Sequence, residues 1–329
     1  MTQRPARPHP AFAALALAAL LALAACVPHV GPRTGPAGRP EARSLLGQPL
    51  YPVELPLEAR QRAEAQLDSA RQAYDLAPDN ADVILTYGRR LAALGRYREA
   101  IGMWTEGIDK HPRDPRFYRF RGHRWITVRR FDRAVSDLEA GERLLRGRPD
   151  QPDPDGVAGS TLQESVWYHL GIAHYLRGDF ARAAYAFRFA VDAARGPDQR
   201  VASTDWLYMS LRRAGRPDEA RTALNAVPAN IRVNEAGSYL QRLRLYRGEI
   251  PVDSLLDPAG KSTIDITTQA YGAGNWYLYN GRPGDAEQVF WKVLQGENWA
   301  PFGYIAAEAD LRRLTRTQAR RVRYPAPAH

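Results

Sequence analysis

The sequence predicts an all-α chain: a right-handed superhelical solenoid of about five helical hairpins with capping helices. Recurring residue columns and prolines in the same register predict it. Ala100, Ala134, Ala183, Ala220 and Ala286 form the reference column. Five residues before each stand Gly95, Arg129, Gly178, Gly215 and Gly281, and three before stand Tyr97, Phe131, Phe180, Pro217 and Pro283. Four residues after come Trp104, Leu138, Phe187, Leu224 and Phe290, and twelve before come Gly88, Gly122, Gly171, Tyr208 and Gly274. Ala100 and Ala134 are 34 residues apart, as are Pro78 and Pro112. Repetition at such a period marks a stacked array.

Each column has a physical role. Small residues at the Gly and Ala columns let two helices of a hairpin approach closely, while the aromatic and Leu columns fill the seam to the next hairpin. One hairpin cannot bury its apolar face alone, so successive hairpins share a continuous core. The predicted hairpins lie near 81–114, 115–148, 164–197, 201–230 and 267–298. In the fourth, Tyr208 stands in a Gly column and Pro217 opens the second helix, where proline is tolerated. Trp167 is expected in an inter-repeat seam.

The remaining segments follow in order. Arg4 and Arg7 precede an uncharged run over 11–24 that ends in Leu23-Ala24-Ala25-Cys26. A basic head, a short apolar run and small residues before a cut site describe a secretory signal over 1–25. The run is shorter than the roughly twenty residues a membrane-spanning helix needs. Leu-Ala-Ala-Cys resembles a bacterial lipobox, which implies cleavage before Cys26 and lipid on its sulfur. Cys26 is the only cysteine, so an intrachain disulfide and a thiolate zinc site are excluded. Residues 27–56 hold seven prolines and four glycines, so 26–56 reads as a lipidated cysteine on a semi-extended tether. The solenoid is expected over 57–315. A lone amphipathic helix is predicted over 57–77, an irregular one over 235–246, and a capping helix over 300–315. A loop insertion, 147–162, separates the second and third hairpins, and a basic tail covers 316–329.

These columns resemble the tetratricopeptide (TPR) repeat, a helix, a tight turn and a second helix. The order of signal, lipobox cysteine, tether and repeats is similar to the NlpI type of tetratricopeptide lipoprotein of the bacterial outer membrane. The C-terminal part carries the more particular likeness: Leu245-Tyr246-Arg247-Gly248-Glu249-Ile250, then Gly274-Asn275-Trp276-Tyr277-Leu278-Tyr279-Asn280-Gly281 and Asp285-Ala286-Glu287-Gln288-Val289-Phe290. The resemblance implies a dimeric adaptor, lipid-anchored at the outer membrane and facing the periplasm, that links envelope proteases to cell-wall enzymes. The acidic insertion departs from that pattern.

The net charge of +10 is concentrated. Residues 113–133 hold eight Arg against Asp114 and Asp132, and 311–329 hold six Arg and no acid. In a tetratricopeptide hairpin the first helix lines the concave groove. The groove positions are Arg116, Arg119 and His123 in the second unit, with Arg89, Tyr168 and Tyr175 in its neighbours. Guanidinium forks beside tyrosines suit an acidic peptide or a C-terminal carboxylate. Two other readings stand beside that one: a solvated Arg-rich face in a chain of 43 Arg and 3 Lys, or an intramolecular contact with the acidic insertion (Asp150, Asp153, Asp155). The tail could lie against anionic lipid or be disordered.

No catalytic constellation is present. His169 and His174 are five apart, about 140° around a helix, which prevents them from sharing a metal. No Gly-x-Ser-x-Gly elbow occurs. Gly272-Ala273-Gly274 lacks the third glycine and the preceding strand of a dinucleotide loop, and reads as a close helix contact. The expectation is a non-enzymatic scaffold for envelope proteins or peptides, without cofactor, metal or nucleic acid. The rival readings are a binder of anionic wall polymer and an enzyme hidden in the insertion and groove.

Overall fold

The computed structural model describes residues 38–323, with side chains to Thr317. Cys26, the signal segment, the first part of the tether and residues 324–329 lie outside the described residues. Fourteen helices dominate those described. α1 (Leu57–Leu76) is followed by five hairpins. These are α2 (Ala81–Ala93) with α3 (Tyr97–Lys110), α4 (Pro115–Thr127) with α5 (Phe131–Leu145), and α6 (Leu162–Arg177) with α7 (Phe180–Ala193). Next come α8 (Pro197–Arg213) with α9 (Pro217–Asn225), and, after α10 (Gly237–Tyr246) and the single turn α11 (Asp253–Leu256), α12 (Thr263–Tyr279) with α13 (Pro283–Leu294). α14 (Phe302–Arg323) ends the described chain. No helix among the described residues is long and apolar enough to cross a membrane.

Local chemistry sets these boundaries. Asn80, Asp114, Thr161, Asp179 and Ser262 cap helices by accepting hydrogen bonds from backbone N–H groups one turn in, satisfying donors that a helix start leaves unpaired. Pro115, Pro197, Pro217 and Pro283 occupy the first helical turn, where the missing N–H costs nothing. Every turn-column residue has a positive φ: Gly95, Gly178, Gly215, Gly281 and, unusually, Arg129 at 63°.

The columns explain how each hairpin closes. A Cβ added at Gly122 would lie 2.7 Å from Leu138 Cγ, and one at Gly171 would lie 2.8 Å from Phe187. Gly88 stands in the same relation to Trp104, and Gly274 to Phe290. In these four hairpins the bare glycine of the first helix receives the large side chain sixteen positions later, on the second; the α8–α9 hairpin has Tyr208 there instead. The reference alanines are all fully buried. Ala183→Leu is therefore expected to overpack the α6–α7 seam and cost about 1–3 kcal/mol in a urea melt. An unchanged midpoint would place Ala183 outside the seam. Gly272 is a close contact too, although its neighbour is the buried Arg242 side chain.

Two segments differ from expectation. Residues 38–56 are not an extended tether: β1 (Ala42–Arg43) and β2 (Pro49–Leu50) pair antiparallel. Ala42 and Leu50 are buried in the main core. The Leu45 N–H donates to Glu308 (3.1 Å), and Trp299 Nε1 donates to the Tyr51 carbonyl. Proline and glycine content here reflects tight turns on a protein surface, not freedom from it. Second, the helix expected to cap the array at 300–315 continues to Arg323, through much of the expected basic tail.

Candidate functional site

The first helices α4, α6, α8 and α12 pack against one another in order, and α14 packs along α6 and α12 on the face they line. The predicted groove positions face this way, but the chain itself occupies the space. Phe302 at the start of α14 lies 5.3 Å from the His123 ring, 5.7 Å from His169 and 6.2 Å from Tyr168. Farther along, Glu308 and Asp310 point inward and are buried. Glu308 pairs with Arg129 (2.8 Å). Asp310 pairs with Arg213 (2.9 Å) and Arg313 (2.8 Å) and accepts a hydrogen bond from Tyr271 Oη (3.0 Å). The two arginines hold the Asp310 carboxyl down at about 2 despite its burial.

The insertion fills the neighbouring part of the same face. Residues 146–161 form a small ordered hairpin closed by a bridge between Pro152 and Thr161. Asp153, completely buried at its side chain, pairs with Arg119 at 2.7 Å, and Asp155 pairs with Arg119 at 2.5 Å. Arg119 Nε also donates to Ser165 Oγ (2.9 Å), and Arg89 donates to the Asp155 carbonyl (3.1 Å). The intramolecular reading of the basic patch is thus the one observed.

An open groove is therefore corrected residue by residue. Arg119 is 3% exposed and Tyr175 is fully buried, its hydroxyl 2.8 Å from that of Tyr271. Tyr168 is held between Phe187 and Phe302, with its hydroxyl 3.4 Å from that of Tyr239. The His123 ring lies 4.4 Å from that of His169, tilted by 41°, and accepts from Arg124 Nη1 (3.2 Å). Arg116 is bound to its own helix cap, Asp114, and to Asp82. Arg89 and Arg116 keep partial exposure, but Arg116 is already held by its two carboxylates and Arg89 lies beside the Phe120 ring and the Asp155 carbonyl.

The His123–His169 pair was not legible in sequence, because the two lie on different helices. Burial, then the charge of Arg124 for His123 and of Arg119 for His169, holds both rings far below the ordinary imidazole range. His174 is lowered to about 4, mainly by burial. An imidazole whose pKa is depressed in the fold destabilises it once the unfolded chain takes up the proton. Stability from His174 is present above about 6.5 and lost as pH falls toward 4. Burial raises Glu164 to about 7, which acts in the opposite sense across the same range. The comparison that isolates the histidine is His174→Leu, expected to lose less melting temperature than the parent between pH 6.5 and 4. Parallel curves for the two proteins would remove His174 as a source of acid lability.

A third surface remains uncovered. Trp167, expected in a buried seam, is half-buried and stacks on Phe189 at 4.7 Å. Tyr185 meets Phe189 edge-on at 4.9 Å. Tyr185 is 61% exposed and Phe189 37%. With Leu145, Val166 and the Glu142–Arg146 ion pair, these rings line an open cavity of about 530 Å³ between α5, α6 and α7.

Repeated hairpins of first and second helices, closed by glycine against a large side chain and stacked on one axis of neighbours, define a TPR-type solenoid. No protein-family model matches the sequence, and no curated protein is similar to it. Among solved structures it is similar to MamA (AMB-1), at 19% identity over 51% of this chain and 89% of that one, with a TM-score of 0.40. It is similar to YrrB, described as a TPR protein with an unusual peptide-binding site, at 14% identity over 76% and 99% and a TM-score of 0.41. A third is BtubC from P. vanneervenii, at 15% identity over 84% and 96% and a TM-score of 0.38. The class rests on the hairpin geometry of this chain, not on these overlaps.

Proposed function

We propose that the protein is a scaffold of the bacterial envelope, anchored through lipid on Cys26, that binds another protein through the Trp167–Tyr185–Phe189 face. One observation carries the reading. The groove that a tetratricopeptide array would offer to a peptide is taken up by the chain's own α14 and insertion, while a cluster of three rings stands partly exposed beside it. Clustered exposed aromatic surface is costly in water and typical of protein contacts. The occupant is an apolar or aromatic side chain of a partner protein, seated in the cavity beside Trp167. Holding such a partner near the membrane raises its local concentration there, which is how a scaffold without catalytic groups acts. The signal segment, the lipobox cysteine and the likeness to NlpI-type lipoproteins support an outer-membrane anchor facing the periplasm, with proteases and wall enzymes as the partner class.

The test is crosslinking in living cells from a photoreactive residue at position 185, with and without Trp167→Ala and Phe189→Ala. Adducts to envelope proteins that disappear in the variants support the reading. Adducts only to a second copy would make the face a homodimer contact, and unchanged adducts would move the interface elsewhere. Because Trp167 is only partly buried, Trp167→Ala should stay within about 1–2 kcal/mol of the parent in stability. Binding loss and misfolding are therefore separable.

A further inference from the structure

An arginine-rich cleft lies apart from both surfaces described so far. It has a volume of about 1080 Å³ and is walled by the β1 segment, the α4–α5 turn and α14. Arg39, Arg43, Arg130, Arg133 and Arg312 line it, and all five are exposed. Among the described residues none of the five has a carboxylate within ion-pair distance; Arg43 donates to the Gly47 carbonyl, and Arg133 lies 4.9 Å above the Trp125 ring. The one carboxylate in the lining, Glu41, accepts from the Arg98 backbone N–H at 2.9 Å. The other lining arginine of note, Arg129, is already paired with Glu308. An adjoining hollow of about 420 Å³ shares Arg130, Arg133 and Arg312 and adds Arg316. Five guanidinium groups without an ion-pair partner thus surround one concavity, against the single carboxylate Glu41 in its lining and Asp132 in the adjoining hollow.

We propose that this cleft binds the phosphate headgroups of anionic lipid in the membrane that holds Cys26, a proposal that rests on the anchor in the reading above. Guanidinium presents paired N–H donors that match two oxygens of one phosphate, which a lysine cannot do. The floor is apolar and aromatic, with Ile101, Trp125 and Val128 beneath the charges, so it suits an amphiphile's headgroup and glycerol better than a fully hydrated polymer. Position supplies the second argument. Arg39 and Arg43 lie where the described chain begins, and twelve residues, 27–38, separate Arg39 from Cys26. Fully extended, those residues span about 40 Å. The cleft is therefore never farther than that from the bilayer of an anchored molecule. An acidic protein would meet the same charges, but nothing keeps it within reach of them.

The experiment is arginine footprinting of the full-length protein with phenylglyoxal, mapped by mass spectrometry. One sample holds phosphatidylcholine vesicles, and a second holds vesicles in which phosphatidylglycerol replaces a third of that lipid. The expected result at low salt is several-fold protection of Arg130, Arg133 and Arg312 with phosphatidylglycerol only, reversed by added salt. Exposed Arg62 and Arg221, both 70% exposed at the side chain, serve as controls and should not change. Protection of Arg39 and Arg43 should be lost in a variant carrying Arg130→Gln, Arg133→Gln and Arg312→Gln. Removing each charge should weaken the contact about fivefold. That variant should melt as the parent does, since the three side chains are exposed. Equal reactivity in both vesicle samples, or protection spreading to Arg62 and Arg221, overturns the proposal. Free glycerophosphate protecting as well as vesicles would make the cleft a site for soluble phosphate and overturn the lipid assignment; polyglutamate protecting where vesicles do not would transfer it to an acidic protein. The intact mass of the membrane-derived protein reports separately whether Cys26 carries lipid. Acylation without protection removes the cleft and keeps the anchor, and protection without acylation does the reverse.

Discussion

Arg129→Gly is expected to destabilise the protein by about 2–4 kcal/mol, even though it restores glycine to the one turn of the array that lacks it. Arg129 has a φ of 63°, a left-handed conformation that costs an L-residue roughly 1–2 kcal/mol. Glycine would recover that cost. Against it stands a buried ion pair: Arg129 Nη2 lies 2.8 Å from Glu308, with side chains 3% and 1% exposed. The same guanidinium donates to the Thr127 and Trp299 carbonyls and sits 5.2 Å over the Trp299 ring. Removing it leaves a carboxylate in the core with only the Leu45 N–H and no counter-charge, a loss of about 3–5 kcal/mol. A urea melt of the single variant, and of Arg129→Gly with Glu308→Gln, checks the account. The double variant should recover more than half of the loss, because glutamine still accepts from Leu45 and carries no charge. A single variant as stable as the parent would mean that the turn, not the ion pair, governs this position.

Arg119→Ala should be of similar size, about 3–5 kcal/mol if the fold stays closed, because Asp153 is fully buried and has this one cationic partner. The chain has a cheaper response: the 146–161 hairpin can swing out and hydrate its carboxylates. The expected outcome is therefore fast amide exchange and protease cleavage confined to that hairpin, with the solenoid melting only modestly early. Adding Asp153→Asn should slow the exchange again. Uniform loss across all hairpins would instead show that the insertion is part of the main core. Either way, a substitution at Arg119 reports on this internal contact before it reports on any partner.

The hairpins were legible in sequence because their defining contacts are local. Gly88 meets Trp104 and Gly171 meets Phe187, sixteen positions apart, so one window of sequence holds both halves of each contact. The inward direction of Arg119, His123, Tyr168 and Tyr175 was legible for the same reason, whereas Arg116 turns to its own helix cap Asp114 and to Asp82. What fills the space they face was not. Arg129 and Glu308 are 179 positions apart, and no periodicity links them. Two signals were present all the same. Arg129 interrupts a column of turn glycines, and Glu308 and Asp310 are acids in a C-terminal helix that is otherwise basic beyond them. Trp167 failed differently: it was expected in a buried seam, and its ring stands at the open cavity between α5, α6 and α7 instead.

The β1–β2 segment near the start of the described chain touches its other end, through Leu45 to Glu308 of α14 and Tyr51 to Trp299 in the turn before that helix. A linear array of repeats behaves like a zipper: each unit leans only on its neighbours, so terminal units fray first and unfolding can travel inward. Here the first and last parts are fastened to each other across the array. Neither terminus offers a free tooth from which to start. Such a molecule is expected to lose all its hairpins together, in one transition, and to resist unravelling when pulled from the β1–β2 side.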